Sequence, residues 1–477
     1  MIAQLLNRDF VINQMEVLQV ELERIARGEN AISSVAPSKL SKEDLIEAAL
    51  SIKNSLIAEK SQSSGQPGYE PPPAERRNLL QRPPPLDDYV FMSRDKIVSI
   101  TQSILDEYFH IHPQGKTLLE TKELSDDDRR SRGDDLAITD SSIRGVSLKD
   151  RRRANGRRLF DKFSTLDAGW VSSKVAEAIR LARKKYPFNG TPAESLTISN
   201  RARIILLGDW GTGIPRAQKV AKEIEKILAE GSGKQLEQHV IHLGDVYYSG
   251  WKREYEDRFL KYWPVRPEEA DKYSSWSLNG NHDMFSGGHA YYTVLLNDER
   301  FKRQQRSSFF SLSNRYWKIL GLDSAWEDDD LKDPQASWVE SNVQNTSQKI
   351  MLLSHHQLFS AYEGGREKMQ KKLASILQSG RIRTWFWGHE HRCVIYNPNM
   401  NVQFARCVGH GGVPVYMNHS QKDEHKNPAQ YEYRAFIQMG IEKWALFGFV
   451  VVDFDNDTIS VKYVNENGVV HKEESIR

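Results

Sequence analysis

The chain has 477 residues, enough to bury at least one large core and to carry more than one domain. Its formal charge of +2 is close to balance and gives no push toward nucleic acid or an anionic membrane surface. Two cysteines, Cys393 and Cys407, are too few for a disulfide framework and fit a reducing compartment, as free buried thiols or as one pair.

Residues 1–20 contain Asn7, Arg8, Asp9 and Asn13, so they hold no continuous apolar leader, and no later run approaches the length of a membrane span. A cytoplasmic protein is the expectation. Leu5, Leu6, Phe10, Leu18, Leu22 and Ile25 recur at helical spacing, and Ser41-Lys42-Glu43-Asp44 reads as a capping sequence ahead of Leu45, Ala48, Ala49, Ile52 and Leu56. Residues 1–60 are therefore expected to form a helical hairpin, available for self-association or a protein partner. Pro71 to Pro73 and Pro83 to Pro85 make residues 61–87 an extended proline-rich linker, with an SH3-type ligand as the alternative use.

Residues 88–196 read as a helical and charged connecting region. It is helical over 88–122, and a mixed charge run extends from Asp126 to Arg158. A further helix over Val171–Lys185 carries Val175, Ala178, Ile179 and Ala182 on one face. No stacking aromatics alternate with Arg151 to Arg153, Arg157 and Arg158, so this stretch suits a solvated connector better than a nucleic-acid patch. The remaining domain spans 197–477. Within it Pro215 opens a helix with Val220, Ile224, Ile227 and Leu228 on one face. Near its end, two apolar stretches flank Asp455-Asn456-Asp457 as an antiparallel hairpin.

Polar motifs in this domain follow short apolar runs. Gly208-Asp209-Trp210-Gly211 follows Ile204 to Leu207, Gly244-Asp245 follows Val240 to Leu243, and Ser354-His355-His356 follows Ile350 to Leu353. Gly388-His389-Glu390-His391 follows Trp385 to Trp387, while Gly280-Asn281-His282-Asp283 follows a weaker strand signal at Trp276 to Leu278. Such runs read as buried strands, and ligands of α/β sheets gather beyond the carboxyl ends of strands. Oxygen ligands suit hard cations and imidazole suits zinc, iron and manganese, so the collection reads as a two-metal site. His389 and His391, two apart, share a side of an extended chain. Gly280 and Gly388 let the backbone turn sharply close to the ions.

The motif order, GDWG at 208–211, GDVYY at 244–248, GNHD at 280–283, LLSH at 352–355 and GHEH at 388–391, resembles the calcineurin-like metallophosphoesterase superfamily. Within it the pattern is most similar to purple acid phosphatases. The resemblance implies an α/β sandwich of two mixed β-sheets flanked by helices, here preceded by a mainly helical N-terminal region. Gly211 stands where most of the superfamily has a histidine ligand, and Tyr248 stands at the spacing of the tyrosine that replaces it in purple acid phosphatases. By resemblance, Asp209, Asp245, Tyr248 and His391 hold the first metal. Asp245 bridges to the second, which Asn281, His355 and His389 complete. A phenolate favours trivalent iron, so the pair is expected to be iron with a divalent iron, manganese or zinc. Tyr247 is expected to be a packing residue.

The implied activity is hydrolysis of a small phosphomonoester or phosphodiester, with a metal-activated hydroxide attacking phosphorus and His282 assisting the leaving group. Asp283 would orient a neighbour, and His356 would face away from the site. For His410 in Gly409–Gly412 the two readings are a residue facing substrate and one filling its loop; for Asp323 they are support of the site and a turn; for Arg392, phosphate and solvent. The turn at Gly213 would set a helix N-terminus near Asp209. The GDxVDRG motif of Ser/Thr protein phosphatases is absent, and a cyclic-nucleotide phosphodiesterase of this superfamily would keep the histidine that Gly211 replaces. A nuclease gains no support from the charge, and the different-class alternative is a binding or regulatory protein on the same fold.

Overall fold

The computed structural model describes residues 8–28, 40–61, 92–111, 165–439 and 442–477. The proline-rich segment, the charge run from Asp126 to Arg158, and Leu5 and Leu6 lie outside these. The described chain falls into two compact units, one helical and one running from Lys185 to the C-terminus. Among the described residues no helix is long and apolar enough to cross a membrane.

The helical unit contains α1 (Arg8–Ala26), α2 (Lys42–Ser61), α3 (Lys96–Ile111) and α4 (Thr165–Ala182), each packed on the other three. The expected hairpin is α1 against α2. The two helices are in contact, and their apolar stripes, Val11, Met15, Leu18 and Leu22 on one and Leu45, Ala49, Ile52 and Leu56 on the other, are buried. Ser41 caps α2 as its sequence suggests: the Asp44 amide donates to Ser41 Oγ at 3.1 Å, and the Ser41 amide donates back to Asp44 Oδ2 at 3.1 Å. Asp95 caps α3 by accepting from the amides of Ile97 and Val98, both at 2.9 Å. Val98, Ile104, Val175 and Ile179 are buried in turn, so helices that the sequence divides between two segments close one core.

The second unit is a two-sheet sandwich with a separate two-stranded ribbon of β12 (Phe436–Met439) and β13 (Glu442–Ala445). Its eight-stranded sheet runs in the order β1 (Leu196–Thr197), β5 (Phe310–Ser313), β6 (Trp317–Leu322), β7 (Lys349–Ser354), β8 (Ile382–Trp387), β10 (Phe404–Val408), β9 (Cys393–Tyr396) and β11 (Ala429–Glu432). Its six-stranded sheet runs β16 (Val470–Ile476), β15 (Thr458–Asn465), β14 (Gly448–Asp455), β2 (Ala202–Leu207), β3 (Glu237–His242) and β4 (Ser274–Ser277). Both sheets are mixed: β2, β3 and β4 are parallel while β14 is antiparallel to β2, and β6, β7, β8 and β10 are parallel while β9 is antiparallel to β10.

Strand alternation explains the layers. Met351, Leu353 and Phe386 face the core between the sheets with Ile204, Leu206, Ile241, Val450 and Val452. Their neighbours Ile350, Leu352, Trp385 and Trp387 face the other way and pack with Val339 and Val343 of the helix Gln335–Gln344. The continuous apolar runs are thus strands buried on both faces. Pro215 opens the helix Pro215–Gly233, and β14 and β15 form the C-terminal hairpin with Asp455 paired to Thr458.

Candidate metal centre

The strands β2, β3 and β4 of one sheet and β7 and β8 of the other end at the same place. They carry Asp209, Asp245, Asn281 with His282, His355, and His389 with His391 there. Ligand atoms of Asp209, Asp245 and His391 lie within 4.8 Å of one another, and so do those of His355, His356 and His389. Asp245 connects the groups, since its Oδ2 is 3.3 Å from His355 Nε2 while Tyr247 bonds it to Asp209. Asn281 Oδ1 lies 3.0 Å from His355 Nε2 and 2.9 Å from His389 Nδ1.

Backbone conformation matters as much as side-chain identity. Asp209, Asp245, His389 and His391 all have positive φ, at 58°, 78°, 68° and 51°. Left-handed backbone in residues with a Cβ costs on the order of 1–3 kcal/mol each and gathers at functional sites. The two histidines therefore reach the centre through a left-handed bend, not through the extended backbone that their i, i+2 spacing suggested. Glu390 between them turns away and accepts from Trp387 Nε1 at 2.9 Å. The Asp209 carboxylate is held by the His389 amide at 2.7 Å. A Cβ at Gly280 would collide with Asp245 Oδ1, and one at Gly388 would stand 2.7 Å from Asp209 Oδ2. Both glycines are where the chain must pass against a carboxylate.

The two adjacent tyrosines do not take their expected places. The Tyr247 hydroxyl lies 3.1 Å from Asp209 Oδ1, 3.1 Å from Asp245 Oδ2 and 2.9 Å from His391 Nε2. Tyr248 instead lays its ring against the Arg258 guanidinium, 4.9 Å away, while its amide is held by Glu254 Oε1 at 2.6 Å. The reading of Tyr247 as a packing residue is corrected. The cause is local: Val246 pairs with Gly211, the Gly250 amide closes a turn on Val246 O at 3.0 Å, and Tyr247 folds back over Asp245. A side chain at Gly211 would meet Val246 Cα at 2.8 Å, so the glycine admits this turn.

The histidine tautomers follow from their partners. His355 Nδ1 lies 2.9 Å from Leu243 O, and a carbonyl only accepts, so Nδ1 carries a proton and Nε2 is the nitrogen turned to the site. That nitrogen faces Asn281 Oδ1, Asp245 Oδ2 and, at 3.2 Å, His389 Nδ1. His282 Nδ1 donates likewise to Tyr248 O at 2.6 Å, and the His282 amide donates to Asp245 Oδ1 at 2.8 Å. Electrostatics show the same demand for positive charge. Burial, opposed by His355 and reinforced by Asp245, pushes Asp209 up to about 7. Burial also works against charge on His355, but Asp245 wins and lifts it to about 9.

Asp283 accepts from the amides of Gly280, Asp245 and Val246 at 2.6, 2.8 and 3.1 Å, which ties the second motif to the third. His356 lies beside the site, its ring 4.7 Å from that of His389, because the strand ends at Ser354 and alternation stops there. Its Nε2 meets Asp329 Oδ1 at 2.8 Å. Arg366 places Nη2 2.8 Å from His389 Nε2 and Nη1 3.5 Å from Asp329 Oδ2. Neither Arg366 nor Asp329 carries a motif, so nothing in the sequence marks them. Asp323 accepts from the amides of Ala325 and Trp326 in its own turn, at 3.1 and 2.9 Å. Arg392 pairs with Glu432 at 2.7 Å. His410 is buried after β10. The helix that opens at Pro215 begins beyond the Gly213 turn.

Residues 202–393 match the profile of the calcineurin-like phosphoesterase family. No curated protein matches the sequence. Solved structures with a similar chain path include GAP50, the anchor in the inner membrane complex of Plasmodium, at 14% identity and a TM-score of 0.44, covering 58% of this chain and 89% of that one. The purple acid phosphatase PPD1 from yellow lupin is 17% identical with a TM-score of 0.40, over 61% of this chain and 55% of its own. A dimetal phosphatase from Danio rerio is 12% identical with a TM-score of 0.37, over 58% of this chain and 98% of its own.

Proposed function

We propose, from the match of residues 202–393 to the calcineurin-like phosphoesterase family, that this chain is a member of that family and hydrolyses small phosphomonoesters or phosphodiesters at a centre built for two metal ions. One observation carries the reading. His355 Nε2, the amide oxygen of Asn281, a carboxylate oxygen of Asp245 and His389 Nδ1 converge within hydrogen-bond distances, two oxygens and two imidazole nitrogens around one point. Such a cluster suits a cation. A second convergence, of Asp209, Asp245, His391 and the Tyr247 hydroxyl, adjoins it.

Asp209, Asp245, Tyr247 and His391 would hold one ion, and Asp245, Asn281, His355 and His389 the other. Two such cations, when bound, stabilise the attacking and leaving oxygens of an in-line displacement at phosphorus. The mixed oxygen and nitrogen set suits iron, manganese or zinc. A phenolic oxygen in the first set favours ferric iron, the choice proposed for that position.

His282 would act on substrate and not on metal. Its Nδ1 is committed to Tyr248 O, which leaves Nε2 for substrate: the doubly protonated ring would give its Nε2 proton to the leaving oxygen or a hydrogen bond to the phosphoryl group. Arg366 brings a guanidinium to His389, where it can meet a phosphoryl oxygen as well as fix the ring. Asp283 positions Asp245 and Gly280 through their amides. The test is turnover of nitrophenyl phosphate by protein stripped with chelator and then given iron, manganese or zinc. Activity restored by metal, with Arg366→Ala raising KM more than it lowers kcat, supports the reading. No turnover with any of the three ions refutes it.

A further inference from the structure

Cys393, His410 and His471 each offer one ligand atom, and these three atoms lie within 4.8 Å of one another. Cys393 begins β9 and His410 follows β10, both in the eight-stranded sheet, whereas His471 belongs to β16 of the six-stranded sheet. The cluster therefore joins the two layers of the sandwich at a point that the phosphoesterase centre does not use.

The two imidazoles are arranged as ligands are. Cys393 and His410 are 1% and 5% exposed, and both ring nitrogens of His410 are buried with no hydrogen bond of good geometry, Val408 O being a weak partner. Buried polar atoms almost always find good partners, so a histidine so poorly satisfied asks for an occupant. The ring is also tightly seated, since a Cβ at Gly448 would stand 2.6 Å from its Nε2. His471 stacks on Tyr433 with ring centroids 3.5 Å apart, and its Nδ1 meets the Tyr431 hydroxyl at 3.0 Å. Its Nε2 is buried with no partner. One nitrogen fixed by a hydrogen bond and the other left bare is the usual state of a metal-binding imidazole. Cys407, the other thiol, is directed instead to Gly388 O at 3.6 Å and Arg392 O at 3.4 Å.

We propose that Cys393, His410 and His471 form a separate site for a single zinc ion. One sulfur and two imidazole nitrogens match a borderline-soft cation and leave a fourth tetrahedral position for water. Binding deprotonates the Cys393 thiol, the proton passing to solvent, while both imidazoles bind as neutral rings. The ion then pins β9 and the loop after β10 to β16.

Cobalt(II) is the probe, because a thiolate ligand gives it a near-ultraviolet sulfur-to-metal charge-transfer band that oxygen and nitrogen ligands do not. The phosphoesterase centre contains no sulfur, so this readout is independent of that centre and of its activity. Full-length protein stripped of metal and titrated with cobalt is expected to develop the band and to saturate it by three cobalt ions per chain, one for this site and two for the phosphoesterase centre. Zinc should abolish it by displacement. The band should vanish in Cys393→Ser, persist in Cys407→Ser, and weaken in His471→Ala, a change at a half-buried edge-strand position that folding tolerates. Cobalt-loaded wild-type protein without the band overturns the proposal, whatever the variants do. So does a band that survives Cys393→Ser, or one that zinc leaves in place.

Discussion

The Tyr247 hydroxyl stands 2.9 Å from His391 Nε2, where it also touches a carboxylate oxygen of Asp209 and of Asp245. If iron occupies that corner, its phenolate ligand is Tyr247. Oxidised, iron-loaded protein should show a visible phenolate-to-iron charge-transfer band that disappears in Tyr247→Phe and stays in Tyr248→Phe. The reverse pattern would restore the spacing-based choice of Tyr248. A band absent from wild-type protein that is active with manganese or zinc would remove iron and keep the phosphoesterase.

His282 is expected to serve chemistry and not metal retention. His282→Ala should lose roughly two to four orders of magnitude in turnover, the span of a general acid, with unchanged metal content. The loss should shrink for substrates with good leaving groups, which need less protonation. An unaltered rate on an alkyl phosphate would end the assignment.

A pH effect on stability follows from His242, at the end of β3. It is buried against Phe259 with ring centroids 4.8 Å apart, and its Nε2 has no partner. Burial lowers its pKa from 6.5 to about 3, with Asp245 opposing and His355 assisting. The folded state refuses a proton that the unfolded state accepts below about 6.5, so stability falls as pH drops from there toward 3. The slope is about 1.4 kcal/mol per pH unit for one such histidine. Denaturant midpoints at pH 7 and pH 5 should therefore differ less in His242→Phe than in wild type. Equal differences would show that the ring titrates normally.

Much of this molecule is readable in its sequence, and the exceptions share a cause. The runs Ile204–Leu207, Val240–Leu243, Ile350–Leu353 and Trp385–Trp387 announce strands because each is buried on both faces. Asp209, Asp245, His355, His389 and His391 are brought together as their placement after those runs suggested, and Asn281 joins them after the weaker strand signal at Trp276 to Leu278. The order of Tyr247 and Tyr248 is not readable, because it depends on a turn closed between Val246 and Gly250 and on the seat that Gly211 offers Val246. Arg366 and Asp329 escape notice because loops deliver them, with no strand pattern in front. The packing of α3 and α4 with α1 and α2 depends on contacts across long separations that helical periodicity does not encode.

The helical unit is expected to be dispensable for hydrolysis. Lys185 bonds to Trp326 O at 2.6 Å, and Tyr186 donates its amide to Gly287 O at 2.8 Å and stacks on Tyr292 at 4.8 Å. A chain starting at Lys185 keeps these anchors and should fold, bind metal and hydrolyse a small phosphoester. One starting at Thr197 loses them and should be less stable. Self-association, if present, should go with the removed helices, as sedimentation of both forms would show. Loss of folding or activity in the Lys185 form would make the helices part of the hydrolytic unit.

The most direct test of the two-metal account is elemental analysis paired with a nitrophenyl phosphate assay, on wild type and Asp245→Ala. Asp245 is the residue shared by both ligand sets, so its loss should remove both ions together. Wild type should hold close to two transition-metal ions per chain and turn over substrate, as a two-metal phosphoesterase does, while Asp245→Ala should retain neither metal nor activity. Wild-type protein that contains no transition metal and stays inert when iron, manganese or zinc is added would contradict the account.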